Sequence, residues 1–134
     1  MPESIEKSKR QELYLELKQL DEEIKKLNTH LETVDEQVSE LNSNKIILNK
    51  FSELKSGDEL RVPLSSGVYI KAELKDNKKL LVNVGSNVAV EKTPREVIEI
   101  LDGQLTELIS YRENLVLQMK QLIAKIEEIQ KHFE

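Results

Sequence analysis

The chain has 134 residues, enough for one domain. It carries 34% charged residues against roughly 25% in an average globular domain, only 4% aromatics and no Trp. So polar a composition excludes a large compact core and suits long helices that bury a single stripe. The net charge of -5 argues against a general nucleic-acid binder, and the absence of cysteine excludes a disulfide framework, a thiolate nucleophile and a cysteine zinc site.

Met1 to Arg10 lack the apolar run of a signal peptide, and no apolar stretch of about 18 residues occurs. A cytoplasmic protein with no membrane span is expected. The chain reads as helix over 8–55, β region over 58–92 and helix over 94–133, one domain across 1–134.

In the first helix, apolar residues step by alternating four and three. Leu17, Ile24, Leu31, Val38 and Lys45 fall at heptad position a, and Leu13, Leu20, Leu27, Val34, Leu41 and Leu48 at d. Only Lys45 breaks the seam. From Leu13 to Leu48 such a helix runs about 50 Å at 1.5 Å per residue.

In the middle segment, Leu60, Val62, Leu64, Val68, Ile70, Leu74, Leu80, Val82, Val84, Val88 and Val90, with Ala72 among them, recur with period two, the pattern of half-buried strands. Ser65-Ser66-Gly67 and Gly85-Ser86-Asn87 mark two hairpin turns, joined by the lysine-rich Lys75–Lys79. Pro63 lies inside a strand, so it belongs at an edge or a site outside the ladder. Four short strands with one apolar face cannot close a core, and their edges invite other chains. Apart from Ala72, the period-two residues are therefore the candidate oligomerisation residues.

Thr93-Pro94-Arg95-Glu96 opens the last helix as a capping box with proline at the first helical position. A second seam follows through Ile98, Leu101, Leu105, Leu108, Arg112, Leu115, Met119, Leu122, Ile126, Ile129 and Phe133. The two seams fit as an antiparallel hairpin. Leu13 pairs with Phe133, Leu17 with Ile129, Leu20 with Ile126, Ile24 with Leu122, and so on to Leu48 with Ile98; Glu23 and Lys125 flank with opposite charge. Lys45 and Arg112 interrupt the seam, either as snorkelled charges that set register or as contacts to a partner.

No phosphate-binding loop or dinucleotide fingerprint is present, and the four glycines are scattered. Gly103 lies inside a helix, where local flexibility or close helix approach would account for it. His30 and His132 sit on helix flanks without convergent ligands, so no metal site, cofactor or catalytic group is expected.

The β region carries a family resemblance. Val62-Pro63-Leu64, Gly67-Val68-Tyr69-Ile70-Lys71-Ala72-Glu73-Leu74, Val82-Asn83-Val84-Gly85 and Val90-Glu91-Lys92 resemble the alpha class of prefoldin subunits, which has two hairpins between its helices. The resemblance implies an α+β fold: a long antiparallel two-helix coiled coil whose two hairpins complete a β-barrel between subunits. It further implies an ATP-independent holding chaperone, not an enzyme, without a cofactor. Such a subunit captures unfolded client proteins at coiled-coil tips and hands them to a group II chaperonin. Its partners would be beta-class subunits in a heterohexamer, or copies of itself in a filament if the chain is of the related gamma class; an alpha-class subunit of eukaryotic type is also compatible, and the rival to a chaperone is a structural protein, either that filament-forming paralogue or a coiled-coil scaffold. Neither nucleic acid nor membrane is a partner in any of these.

Client-contact candidates are Ile5, Tyr14, Leu15, Ile123, Ile129 and Phe133. Leu13, Ile129 and Phe133 belong to the seam and become contacts only if the last turns open; Tyr14 and Leu15 lie off it. Ile109, Val116 and Ile123 repeat at position e opposite Asp35, Asn28 and Asp21, forming either a broadened seam or an inner contact stripe. Ile46, Ile47, Phe51, Leu54, Val97 and Ile100, also off the seam, are expected to pack the helix bases under the barrel.

Overall fold

A computed structural model describes residues 2–133, with side chains from residue 6 onward. The elements in order are helix α1 (Pro2–Phe51), strands β1 (Glu59–Ser65), β2 (Val68–Glu73), β3 (Leu80–Asn83) and β4 (Ala89–Lys92), helix α2 (Pro94–Gln130) and a 3-10 turn at Lys131–Phe133. The chain forms two compact units: Met1–Val38 with Glu107–Glu134, and Ser39–Thr106.

The helix boundaries differ from the expected 8–55 and 94–133. Proline is pre-organised for a first helical turn, and α1 starts at Pro2. It stops at Phe51 because the next bonds tighten, Glu53 N–H donating to Lys50 O and Leu54 N–H to Phe51 O, both at 3.1 Å. The Asp58 carboxylate then takes the Lys55 amide at 2.7 Å and turns the chain away. The second helix gives way to a tighter 3-10 turn after Gln130.

In the first unit the helices pack along the expected seam. Within α1 from Leu13 to Val38, every d and a residue is buried or half-buried and every residue between them is exposed. Leu20, Val34, Leu115 and Ile129 are buried. The antiparallel register is visible in two contacts, each one residue past the expected layer partner. Arg112, layered with Val34, donates from Nε to Asp35 Oδ1 at 2.6 Å, and Phe133, layered with Leu13, packs edge-on against Tyr14 with ring centroids 6.4 Å apart. Glu23 and Lys125 line the same groove, although no ion pair within 4.0 Å joins them among the described residues.

In the second unit, Leu105 is buried, and Lys45, Leu41, Leu48, Ile98 and Leu101 are half-buried. Lys45, layered with Leu101, pairs with Asp102 at 2.5 Å. Both polar seam residues are thus held by an aspartate at position e of the opposite helix, a pairing the heptads alone did not single out.

The β region makes two separate antiparallel sheets, β1-β2 and β3-β4. In the first, Leu60 faces Ala72 and Val62 faces Ile70, until a register shift between Pro63 and Ser65. In the second, Val82 faces Val90, and the turn closes through Ser86 and Asn87 at φ 49 and 61, the left-handed pair that matches strand twist. The linker after β2 is anchored by Asn77, whose amide donates to the Ser52 and Leu54 carbonyls at 3.2 and 2.7 Å, groups that the end of a helix leaves free.

Of the expected base residues, Phe51, Leu54 and Val97 are half-buried, whereas Ile46, Ile47 and Ile100 are 56%, 62% and 42% exposed. Within the single chain these last three do not pack: they sit at b and c positions, which point away from a two-helix seam. A Cβ added at Gly103 meets nothing within 4 Å, so close helix approach is not its reason.

The capping box forms as read: the Glu96 amide donates to Thr93 Oγ1 at 3.1 Å and the Thr93 amide to Glu96 Oε1 at 3.3 Å. Thr93→Ala should therefore cost about 1 kcal/mol in urea denaturation. Gly103→Ala should stabilise by roughly 0.5–1 kcal/mol, since the helix gains backbone restriction and no atom is displaced.

Candidate functional site

Among the described residues no three His, Cys, Asp or Glu side chains cluster to hold a metal. What the first unit offers instead is apolar side chain left in water by a seam that is complete without it. The reason is geometric. A two-helix contact buries positions a and d and only grazes e and g, so any large apolar residue elsewhere stays exposed.

Tyr14 and Leu15 are 72% and 64% exposed, as expected for positions off the seam. Tyr14 leans on Phe133, itself 37% exposed, so the end of the helix pair carries an open aromatic pair rather than a sealed layer. Ile129 is buried at 8% and reaches a partner only if its turn opens. The side chain of Ile5 lies outside the described residues.

The e-position stripe divides. Ile109 and Ile123 are 47% and 43% exposed, while Val116 is half-buried. Asp35, expected to face Ile109, instead turns to Arg112. Arg112 leaves the interior for this flank, its side chain 46% exposed, and the ion pair leaves Ile109 uncovered. Exposed pairs of this kind contribute at most about 1 kcal/mol.

Two further residues belong to the same exposed set. Leu117 is 54% exposed at position f, and Tyr111 is 48% exposed at position g, beside His30, Thr33 and Gln37 in a shallow groove. A leucine at f, directly opposite the seam, was a readable signal for Leu117. Tyr111 carried none, since tyrosine at a flanking position is ordinary.

In the second unit, the candidate oligomerisation residues are uncovered. Leu60, Leu74, Leu80 and Val82 are half-buried, and Val62, Leu64, Val68, Ile70, Val84, Val88 and Val90 are exposed, Leu64 by 64%. None is buried, which is the condition the period-two pattern predicts for a sheet lacking its second layer.

An antiparallel helix pair interrupted by two hairpins defines a class, and comparison with known proteins identifies it. The family model described as prefoldin subunit matches residues 20–134, and the chain belongs to this family of chaperones. It is 34% identical to prefoldin subunit alpha of Thermofilum pendens, covering 89% of this chain and 90% of that one. It is 29% identical to human prefoldin subunit 5, covering 72% and 63%. In fold it is similar to a chain in the cryo-EM structure of filamentous PFD from Methanocaldococcus jannaschii, with TM-score 0.75, 21% identity and 88% and 98% coverage. No helix among the described residues is long and apolar enough to cross a membrane.

The exposed and buried apolar residues should separate in stability measurements. Ile109→Gln and Ile123→Gln should each change the unfolding free energy by less than about 0.5 kcal/mol, as surface substitutions do. Leu115→Ala, emptying a buried layer, should cost about 2–5 kcal/mol in the same urea titration.

Proposed function

We propose that the chain is a subunit of an ATP-independent holding chaperone that captures non-native proteins on exposed apolar side chains near the ends of its helix pair and passes them to a group II chaperonin. The observation that carries this reading is the exposure of Tyr14 and Leu15, 72% and 64%, on helices whose seam is already satisfied. Apolar surface of this kind can repack on many partners because it is committed to none. The reading assigns no catalytic step, cofactor, nucleic acid or membrane to the chain and places it in the cytoplasm.

The same reading has the hairpins completed by those of other prefoldin subunits, beta-class subunits in a heterohexamer, in a β-barrel formed between chains. The absence of any buried residue in the strands supports it. Self-assembly into a filament is the alternative. The likeness to a filamentous prefoldin, at 21% identity, speaks for the shared fold and carries that alternative no further.

Sizing by light scattering separates the two. A defined oligomer that forms only with a single-hairpin prefoldin subunit supports the heteromeric chaperone, long polymers of the chain alone support the filament, and a monomer under both conditions sinks either. The assembled complex should suppress aggregation of a chemically unfolded client without nucleotide. Removing the residues before Leu13 and after Ile129 should weaken that suppression while the oligomer persists; undiminished suppression would overturn the assignment to the helix ends. Replacing Ile109, Val116 and Ile123 together by Gln tests the stripe in the same assay, and unchanged client capture would reduce it to seam packing.

A further inference from the structure

The first hairpin sorts its side chains onto two faces. Leu60, Val62, Ile70 and Ala72 take the apolar face, and the residues between them take the other. That second face is built of three cross-strand pairs: Glu59 with Glu73, Arg61 with Lys71, and Pro63 with Tyr69. The Leu74 amide donates to Asp58 O at 2.8 Å, and the Gly57 amide to Leu74 O at 2.7 Å, so Leu74 points its backbone groups toward β1. Ladder groups alternate along an antiparallel strand, so Glu73, Lys71 and Tyr69 turn theirs outward. All three pairs are therefore of the non-hydrogen-bonded kind, whose Cα atoms approach to about 4.5 Å and whose side chains lie closest.

Two of the three pairs set like charge against like at this short range. Exchanging Lys71 and Glu73 would make both attractive with no change of composition. Among the described residues, the one ion pair on this face is a diagonal from Lys71 to Glu59, 3.9 Å long with side chains 80% and 62% exposed; Arg61 has no acid within 4.0 Å. Hairpin stability therefore does not account for the order of the charges. Nor does protection of the strand edge, since the exchanged order would keep one lysine on the same strand.

What the order does produce is a ladder of three chemistries. Pairs two residues apart along a strand lie about 7 Å from each other. Pro63 with Tyr69 is an apolar step, the tyrosine 60% exposed; Arg61 with Lys71 is a basic step; Glu59 with Glu73 is an acidic step. A polyanion, or an anionic membrane, would be drawn to the basic step and repelled by the next one. An extended peptide instead presents every second side chain on one side, at the same spacing as the steps. It matches all three when it carries an apolar residue, an acid and a base in alternate positions.

We propose that this face of the first hairpin docks an extended peptide segment of a further protein, with an apolar, an acidic and a basic residue at positions i, i+2 and i+4. The apolar residue lies on Pro63 and Tyr69, the acid meets Arg61 and Lys71, and the base meets Glu59 and Glu73. The site uses none of the apolar hairpin residues assigned to assembly and none of the helix-end residues assigned to clients, so it goes beyond both readings.

The probe is a fluorescein-labelled synthetic peptide with leucine, aspartate and lysine at alternate positions and serine between them. Its control has aspartate and lysine exchanged. Anisotropy is followed on the full chain alone and after assembly with a single-hairpin prefoldin subunit. The first peptide should bind in both states, and the control about tenfold more weakly, since two attractive charge contacts become repulsive. Lys71→Glu combined with Glu73→Lys should reverse that preference, which an unfolded hairpin would not do. Tyr69→Ser should weaken both peptides alike, and Tyr14→Ser combined with Leu15→Gln should alter neither. Equal binding of the two peptides, binding of neither, or no reversal in the exchange variant would overturn the site. Loss of binding in the Tyr14 and Leu15 variant would return the peptide to the client surface and overturn it as well. Binding that vanishes on assembly would also overturn it, because the face would then belong to a subunit contact.

Discussion

A two-helix seam can bury one stripe of each helix and nothing more, and every other feature of this chain follows from that limit. The a and d residues from Leu13 to Val38 take the available burial, and all residues between them remain in water. Among the described residues, no third layer covers either the outer helix faces or the apolar side of the hairpins. What elsewhere would be core therefore becomes surface: Leu15, Ile109, Leu117 and Ile123 on the helices, Leu64, Val68 and Ile70 on the strands. In an autonomous domain so much exposed apolar side chain would be a liability. In a member of a chaperone family whose subunits assemble, it is surface that further chains can cover.

The polar interruptions of the seam show how such a narrow interface holds its register. Lys45 and Arg112 both occupy a positions, and each reaches to an aspartate one residue beyond its layer partner, Asp102 and Asp35 respectively. The relation is the same from either helix, a to e in both directions. Neither pair is deeply buried, so their contribution to stability is small. Their contribution to register is larger in kind, because a slip by one heptad would set a long cation against apolar neighbours and leave its aspartate unpaired.

What was legible in the sequence was what repeats or caps. The seam residues, the Thr93–Glu96 box and the two turns with left-handed residues each state a local rule that neighbouring chain cannot override. The partners of Lys45 and Arg112 were not legible, because a long side chain chooses among several acceptors by its rotamer and heptad letters do not encode rotamers. The helix ends moved for a related reason: the stop at Phe51 depends on Asp58 and Asn77, whose hydrogen bonds exist only once the chain has folded back. Leu117 is legible only from the far side of the seam, where a leucine at position f has no facing helix to bury it. Ile46, Ile47 and Ile100 were assigned to packing that a single chain does not supply.

Pro63 illustrates how one residue can direct an interface it does not form. Inside a strand, proline is tolerated only where its missing donor faces away from the partner strand, and the register places Pro63 in that position opposite Tyr69. The hairpin loses nothing by it; the cost falls entirely on whatever would pair with the outer side of β1. The opposite edge, that of β2, keeps every donor, and its charges are poorly matched within the hairpin, Lys71 opposite Arg61 and Glu73 opposite Glu59. A sheet that must leave one edge open to be completed has reason to close the other, since two open edges would let strands add without limit on both sides. The proline thus does for the β region what the ion pairs do for the helices: it removes alternatives, and the burial of apolar surface then has one arrangement left to favour.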